Sequence, residues 1–204
     1  MNYRTVEVKG HQRAGNHYLA YLINENFFEL PNFYEFFKNG SHKFGNQHSV
    51  FQQDVLYIYI YRDFYTTARS LLKIGGRFSI GTTDINDLLF DKKMSDYASD
   101  KVVPNIALDK FTQEAFNKAR DSKNRRSSFA FDFKNMSLKE WHTKHVNSWL
   151  KIDKPNLTFI KYEDIVNDFD NTMLYIAEKL GSDKTTFKNT KKQVGVIHKD
   201  EDIL

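Results

Sequence analysis

The chain has 204 residues, and a hydrophobic content of 40%, with 18 Phe and 11 Tyr, predicts a single folded domain over residues 1–204. It contains no cysteine, which excludes disulfides, thiolate nucleophiles and cysteine-based zinc sites. The net charge of +4 fits an anionic ligand, whereas a nucleic-acid-binding protein usually carries a more one-sided positive charge, so we expect no nucleic-acid partner.

The hydropathy of the sequence bears on its location. The first residues do not resemble a secretory signal, and no segment approaches the ~18 apolar residues of a membrane span. Together with the lack of cysteine, these features predict a cytoplasmic protein without a membrane span.

The first predicted element is a strand that runs through a tight loop into a helix. β-Branched residues over 5–8 predict the strand, and apolar residues at helical spacing from position 19 predict a helix that ends near Asn26. Gly10 and Gly15 mark the loop between them. Such a junction directs backbone N–H groups and the positive end of the helix dipole at one point, which favours a phosphate site.

The glycine spacing of this loop is also that of a nucleotide-binding P-loop. A P-loop continues with Lys and Ser/Thr, whereas this chain has Asn16 and His17. The lysine would supply a point charge for the β- and γ-phosphates, and the hydroxyl would bind Mg²⁺. The loop carries Arg13 as its cation instead. We therefore expect an anion site that uses Arg13 and no metal ion.

Two further strands are predicted later in the chain. Residues 55–61 are apolar or aromatic at every position, which predicts a central strand covered on both faces. Arg62 and Asp63 follow it, and a helix with Asp63 as its N-cap runs to Gly75. Residues 157–161 form the other strand. The aromatic-rich run before residue 38 has an ambiguous period and allows a strand over 32–37.

Helices separate these strands and follow the last one. The pattern predicts them over 109–120, from a capping box at Ser137–Glu140, as a short turn from Tyr162, and over 173–180 before Gly181. Strands that alternate with helices favour an α/β fold with a parallel sheet, which binds ligands at the carboxyl ends of its strands.

Cations follow two of these strands, and this arrangement carries a family resemblance. Arg62 ends a hydrophobic strand, and Ser70 lies eight residues later, two helical turns on. At this point the sequence resembles the sulfotransferases that use 3′-phosphoadenylyl sulfate (PAPS). In that family a loop of the form Pro-Lys/Arg-Ser-Gly-Thr-Thr-Trp binds the 5′-phosphosulfate, and residues 12–18, Gln-Arg-Ala-Gly-Asn-His-Tyr, are similar to it. The family's Arg and Ser that bind the 3′-phosphate are similar to Arg62 and Ser70.

A third motif extends the resemblance to the C-terminal part of the chain. An apolar strand runs into Tyr162-Glu163-Asp164, and the following helix ends in Leu-Gly, as in the family. The resemblance implies an α/β, three-layer P-loop-like fold with a central parallel sheet flanked by helices. It implies PAPS as co-substrate, its bisphosphate PAP as product, and no metal. The implied nucleotide-binding residues are Arg13, Ala14, Gly15, Asn16, His17, Tyr18, Arg62, Ser70, Tyr162, Lys191 and Lys192, the two lysines echoing the family's Arg-Lys-Gly loop over the 3′-phosphate.

Departures of the loop from the family have consequences for ligand binding. Asn16 and His17 replace a Thr pair, so the resemblance implies amide and imidazole contacts to the 5′-phosphate in place of hydroxyl contacts. The backbone donors of residues 15–17 are retained. Tyr18 replaces a Trp, and it is still able to stack on adenine.

The resemblance also implies roles in catalysis. Arg13 would stabilise the bridging oxygen from which the sulfuryl group leaves. A hydroxyl acceptor needs a general base, and His42 in Gly-Ser-His-Lys is the position most similar to the family's catalytic histidine. His48 is the second candidate, and Glu35 represents a carboxylate alternative. His142 and His145 share a helix with two tryptophans, which favours packing or acceptor binding over metal binding.

Residues 75–140 match no part of the family pattern. We expect a helical insertion that binds the acceptor, a carbohydrate or small molecule with a hydroxyl or amine. Its basic run over 123–126 fits an anionic acceptor, although such runs are more often solvated surface. Two other functions stay open, a P-loop kinase and a non-enzymatic binder of polyanions such as RNA. The sequence specifies neither the acceptor nor the oligomeric state.

Overall fold

The computed structural model describes residues 2–29, 43–48, 50–73, 84–89, 92–93 and 136–190. The chain divides into two compact units, one of Met1–Asp63 with Lys144–Leu204 and the other of Phe64–Thr143. The helix expected over 109–120 and the strand allowed over 32–37 lie outside the described residues. The expected single domain with an acceptor-binding insertion stays a prediction.

Within the described residues, the first unit contains a parallel sheet of three strands. In spatial order the strands are β1 (Thr5–Gly10), β2 (Val55–Tyr61) and β3 (Leu157–Lys161). Both pairs are parallel, and the row Gly10, Ile60 and Ile160 crosses all three strands near their carboxyl ends. The predicted bounds of β2 and β3 are confirmed, as is the central place of β2. The residues that follow the strands therefore meet at one edge of the sheet.

The described helices lie between and after these strands along the chain. They are α1 (Asn16–Ile23), which continues into a π-helical turn (Asn24–Phe28), a 3₁₀ turn (Gly45–Gln47), α2 (Phe64–Lys73), α3 (Ile85–Leu89), α4 (Leu138–Leu150), α5 (Tyr162–Asn167) and α6 (Phe169–Leu180). The predicted end near Asn26 thus falls inside the π-helical turn. Among the described residues, no helix has the length and apolar character needed to cross a membrane.

Two capping predictions are confirmed. The backbone N–H of Glu140 donates to Ser137 Oγ at 3.1 Å at the start of α4, in the second unit. Gly181 ends α6 with φ 65°, a left-handed conformation that glycine adopts at little cost. Local sequence signals therefore set these helix ends.

The two faces of the sheet bury different kinds of side chain. Successive residues of a strand point to opposite faces, so Leu56, Ile58 and Ile60 join an apolar core with residues of α1, α5 and α6. On the other face Tyr57 and Tyr59 pack with Trp149 of α4. The doubly buried pattern of β2 arises because both faces are covered.

The edge strand β1 carries a buried ion pair on the aromatic face. Lys9 Nζ lies 2.8 Å from Glu7 Oε2, and both side chains are almost fully buried. Buried charges of opposite sign must be paired to offset their loss of hydration. This pairing explains why β1 alternates apolar and charged residues although both of its faces are covered.

Candidate functional site

The loop between β1 and α1 has a backbone conformation that ordinary residues rarely adopt. Gly15 has φ 100° and Arg13 has φ 62°. The Tyr162 ring lies so close to the Gly15 Cα that an added Cβ would overlap it. A left-handed Arg is uncommon and is a form of local strain that often marks a functional segment. The loop thus requires glycine at position 15 and holds Arg13 in a defined place.

Asn16 ties the start of α1 to the end of β1. Its buried side-chain nitrogen donates to the carbonyl oxygen of His11 at 3.2 Å and lies 3.4 Å from that of Gly10. The side-chain amide therefore shapes the loop from within. The first backbone N–H groups of a helix lack acceptors in their own helix. Those of α1 lie at the end of the loop that carries Arg13. This arrangement suits an anion.

Side chains from all three strand ends meet beside this loop. The guanidinium carbon of Arg62 lies 4.3 Å from the centre of the Tyr162 ring. Burial lowers the pKa of Arg13, the positive charge of Arg62 lowers it further, and Tyr162 acts in the opposite direction. Burial and the neighbouring Tyr162 raise the pKa of Tyr18. Arg13, Tyr18, Arg62 and Tyr162, predicted from three separate motifs, therefore lie in one cluster around Gly15.

Two contacts that the sequence did not predict fix the backbone at the end of β2. The N–H of Arg62 donates to Nε2 of the buried His11 at 3.2 Å. The N–H of Asp63 donates to Glu163 Oε1 at 3.3 Å. Burial raises the pKa of Glu163, and its hydrogen bond to the Asp63 side chain raises it further. Arg62 and Asp63 are thus held from the β1 side and from the β3 side.

The segment after α6 packs along α1 and its π-helical turn. Asn26 is the main attachment of this segment. The Asn26 side chain accepts a hydrogen bond from the Lys188 N–H at 2.8 Å and donates one to the Lys188 carbonyl oxygen at 3.1 Å. Farther along, the Tyr18 hydroxyl donates to Asn189 Oδ1 at 3.2 Å, and Thr190 Oγ1 donates to Glu25 Oε1 at 3.0 Å. The described chain therefore ends beside Tyr18, directly before Lys191.

The chain was compared with models of known protein families. A family model described as the sulfotransferase domain matches residues 36–199, which is most of the chain. The chain belongs to the sulfotransferase family. The sequence-based prediction of the family is confirmed. The matched range of this sulfotransferase includes Arg62, Ser70 and Tyr162 and begins after the loop that carries Arg13. A comparison with curated proteins and one with solved structures gave no significant match.

Of the candidate bases of the sulfotransferase, only His48 lies among the described residues. Its ring centre lies 4.6, 5.2 and 5.5 Å from those of Phe51, Tyr57 and Trp149. Burial lowers the pKa of His48, which favours a neutral imidazole. Tyr57 lies four residues before Tyr61, the last residue of β2, or about 13 Å from the strand end at ~3.3 Å per residue. The cluster is thus part of the aromatic face, and a role for His48 as base stays a prediction.

The two histidines of α4 have packing contacts. Burial raises the pKa of Tyr59 well above its usual range, so its hydroxyl keeps its proton, and it forms a hydrogen bond of 2.9 Å with Nδ1 of the buried His145. In the second unit, the His142 ring lies 5.7 Å from the ring of Phe64. Across the described ranges, no three His, Asp or Glu side chains are grouped so as to hold a metal ion.

The remaining predicted residues complete the account. Ala14 is buried in the loop and His17 is exposed on α1. Ser70 lies on α2 in the second unit, so its pairing with Arg62 stays a prediction. His42, together with Glu35, Lys191 and Lys192, lies outside the described residues.

The sequence did not predict the hydrogen bonds of His11 and Asn26, or the contact of Glu163 with the Asp63 backbone. The signal for His11 was its position directly after a strand, where the residues at the ligand-binding edge of a parallel sheet are found. Loop histidines are common, however, and often have no function. Asn26 was signalled as a polar residue in an apolar helix pattern. Neither signal identifies a partner, because each partner is distant in the sequence.

Proposed function

We propose that this sulfotransferase domain binds PAPS at the carboxyl edge of its sheet and transfers the sulfuryl group to a hydroxyl or amine of a carbohydrate or small-molecule acceptor. The observation that carries the proposal is the meeting of Arg13 and Arg62 beside Tyr162 and the Gly15 loop. The family match supports sulfuryl transfer in general.

The charges of the site fit a bisphosphorylated nucleotide. Arg13 and Arg62 come from different strand ends, and each lowers the energy of an anion placed between or beside them. Arginine is well suited to phosphate because its planar fork donates two parallel hydrogen bonds. We assign Arg13 and the N–H groups at the start of α1 to the 5′-phosphosulfate, and Arg62 with Ser70 to the 3′-phosphate.

The aromatic residues of the site fit the adenine. The Tyr162 ring packs against Gly15, and Tyr18 lies near Tyr162, so two aromatic side chains stand close to the loop. We assign Tyr18 to stacking on the base. Because the segment 182–190 ends beside Tyr18, it supports the assignment of Lys191 and Lys192 to the same nucleotide.

The protein's part in the reaction is positioning and control of charge. PAPS supplies a sulfuryl group whose bond to the bridging oxygen breaks as its bond to the acceptor oxygen or nitrogen forms, leaving PAP. Arg13 stabilises the negative charge that develops on the bridging oxygen. His42 takes the proton that the acceptor loses, or is replaced in that role by His48 or Glu35.

The finer structural assignments belong to this proposal as well. The parallel sheet covered on both faces supports a three-layer, P-loop-like fold. The loop departs from a nucleotide kinase at Asn16 and His17, which supports a reaction without Mg²⁺. The absence of cysteine supports a cytoplasmic location.

The test is transfer of labelled sulfate from PAPS to a panel of sugars, phenols, lipids and small alcohols, with PAP binding measured by calorimetry in the absence of Mg²⁺. We expect binding of PAP and labelling of at least one acceptor class, and a large loss of labelling in His42→Ala. No PAP binding by the wild-type protein would overturn the proposal. Full labelling by His42→Ala would move the base to another residue.

Two other results would assign a different function. Mg²⁺-dependent turnover of ATP would indicate a P-loop kinase. Steeply salt-dependent binding of RNA or another polyanion that is insensitive to Arg13→Ala would indicate a non-enzymatic binder.

A further inference from the structure

We propose that His11 is a positioning residue that sets the distance between the Arg13 loop and Arg62, and so the ability of the site to hold two phosphates of one nucleotide. The inference rests on the proposed function. His11 is fully buried directly after β1, where the paired rows of β1 and β2 have ended at Gly10 and Ile60. Its side chain continues the connection between the two strands beyond their backbone pairing.

The hydrogen bonds of His11 determine its protonation. The Arg62 backbone N–H has only a proton to offer, so Nε2, 3.2 Å away, must be the acceptor. The Gln12 carbonyl oxygen has only lone pairs to offer, so Nδ1, 2.8 Å away, must carry the proton. The ring is therefore neutral, with its proton on Nδ1. One ring contacts the backbone of both segments that carry the site's arginines.

This geometry couples the two cations. Gln12 immediately precedes Arg13, and Nε2 contacts the backbone of Arg62 itself. The two guanidinium groups carry like charges and repel each other; burial lowers the pKa of Arg13, and the charge of Arg62 lowers it further. A rigid connection between their backbones opposes that repulsion. It keeps both groups at the spacing required by a ligand with two phosphates, whereas a ligand with one phosphate needs only one of them.

Three substitutions separate this role from packing. In His11→Gln, the side-chain oxygen reaches about as far as Nε2 and can still accept from the Arg62 N–H. In His11→Asn, the amide reaches only as far as Nδ1, so the contact with Gln12 is retained and the contact with Arg62 is lost. His11→Phe retains the ring volume and loses both contacts. The binding of PAP and of adenosine 5′-monophosphate to each variant is measured by calorimetry, with the melting temperature recorded beside it.

We expect PAP binding to weaken about tenfold or more in His11→Asn and His11→Phe, because the partly buried N–H of Arg62 loses its acceptor. In His11→Gln, the loss of PAP affinity should be smaller than in the other two variants. The affinity for adenosine 5′-monophosphate should change little in all three. Unchanged PAP affinity in His11→Phe would overturn the inference. Equal losses for both ligands in all three variants, in step with melting temperature, would also overturn it by assigning His11 to packing alone. Failure of the wild-type protein to bind PAP would overturn the proposed function itself, which distinguishes the two failures.

Discussion

The guanidinium of Arg62 lies over the ring of Tyr162, with 4.3 Å between the guanidinium carbon and the ring centre. A cation over an aromatic face is attracted by the ring's negative quadrupole, and the contact leaves the edge N–H groups of the guanidinium to point elsewhere. The two residues follow β2 and β3 directly, so the contact joins adjacent strand ends. Arg62 is therefore oriented before any ligand arrives.

The first prediction concerns Arg62. Arg62→Ala should weaken PAP binding by about 10- to 100-fold, since hydrogen bonds to charged groups contribute roughly 1.5–3 kcal/mol. The PAP affinity of Arg62→Lys should lie between those of the wild-type protein and Arg62→Ala, because lysine keeps the charge but loses the planar fork. Calorimetric titration with PAP measures both.

Arg4→Ala is the matched control for Arg62. It removes the same charge from the opposite end of β1, where Arg4 is exposed and pairs with Asp54 at 2.8 Å. Surface ion pairs of this kind contribute about 0–1 kcal/mol. Arg4→Ala should retain PAP affinity, and an equal loss in both variants would show that net charge alone governs binding.

The second prediction concerns Gly15. Gly15→Ala places a Cβ against the Tyr162 ring at φ 100°, so it should destabilise the fold by about 1–3 kcal/mol and weaken PAP binding. Gly181→Ala also has a positive φ, 65°, and its Cβ would meet the Asn2 side chain, away from the proposed site. Urea unfolding and calorimetry together should show stability loss in both variants and loss of PAP affinity only in Gly15→Ala. Intact PAP binding by Gly15→Ala would remove the loop from the site.

The third prediction concerns the attachment of the segment after α6. Asn26 is buried and makes two hydrogen bonds to Lys188 and one to the Leu22 carbonyl at 2.9 Å. Asn26→Ala leaves these backbone groups without that partner, so it should cost about 2–3 kcal/mol in the free energy of unfolding. PAP binding should also weaken, because the segment leads to Lys191.

Asn171→Ala serves as the comparison for Asn26. The exposed Asn171 side chain donates to the Asp168 carboxylate at 2.8 Å on the helix surface. Such surface changes usually alter stability by less than about 0.5 kcal/mol. Similar losses in the two variants, measured by urea unfolding, would contradict the special role of Asn26.

The fourth prediction is a pH dependence that comes from Glu163. Burial and the Asp63 carboxyl raise the pKa of Glu163 above its ordinary value of 4.5. Between 4.5 and the raised value the folded protein binds this proton more tightly than the unfolded chain does. The contribution of Glu163 to stability is therefore full below 4.5 and decreases as the pH rises through the raised pKa.

Glu163→Gln tests this pH dependence because glutamine resembles the protonated acid. Its stability should match that of the wild-type protein at pH 4.5 and below, exceed it increasingly as the pH rises through the raised pKa of Glu163, and exceed it by a constant amount at higher pH, as measured by urea unfolding at each pH. Glu178→Gln, at an exposed carboxylate on α6, should show no such widening difference. Parallel curves for wild type and Glu163→Gln would show that the proton on Glu163 is not linked to folding.

The elements that the sequence predicted best are those with strong local signals. The bounds of β2 followed from an unbroken run of apolar and aromatic residues, those of β3 from a short strand-forming segment after Pro155, and the start of α4 from the Ser137 cap. The end of α1 was less predictable. Its apolar pattern continues through Asn26, whereas the backbone changes to a π-helical turn in which Asn26 binds a distant segment.

The sequence by itself determined which residue types follow each strand, and hence predicted that Arg13, Arg62 and Tyr162 lie at one edge of the sheet. Spacing along the chain suffices for this, because parallel strands bring their carboxyl ends to one edge. Only the tertiary structure decided how these residues are held. The contact between His11 and Arg62 joins residues 51 positions apart, and the contacts between Asn26 and Lys188 join residues 162 positions apart. Such contacts depend on strand register and burial, which act between segments and leave no pattern within either one.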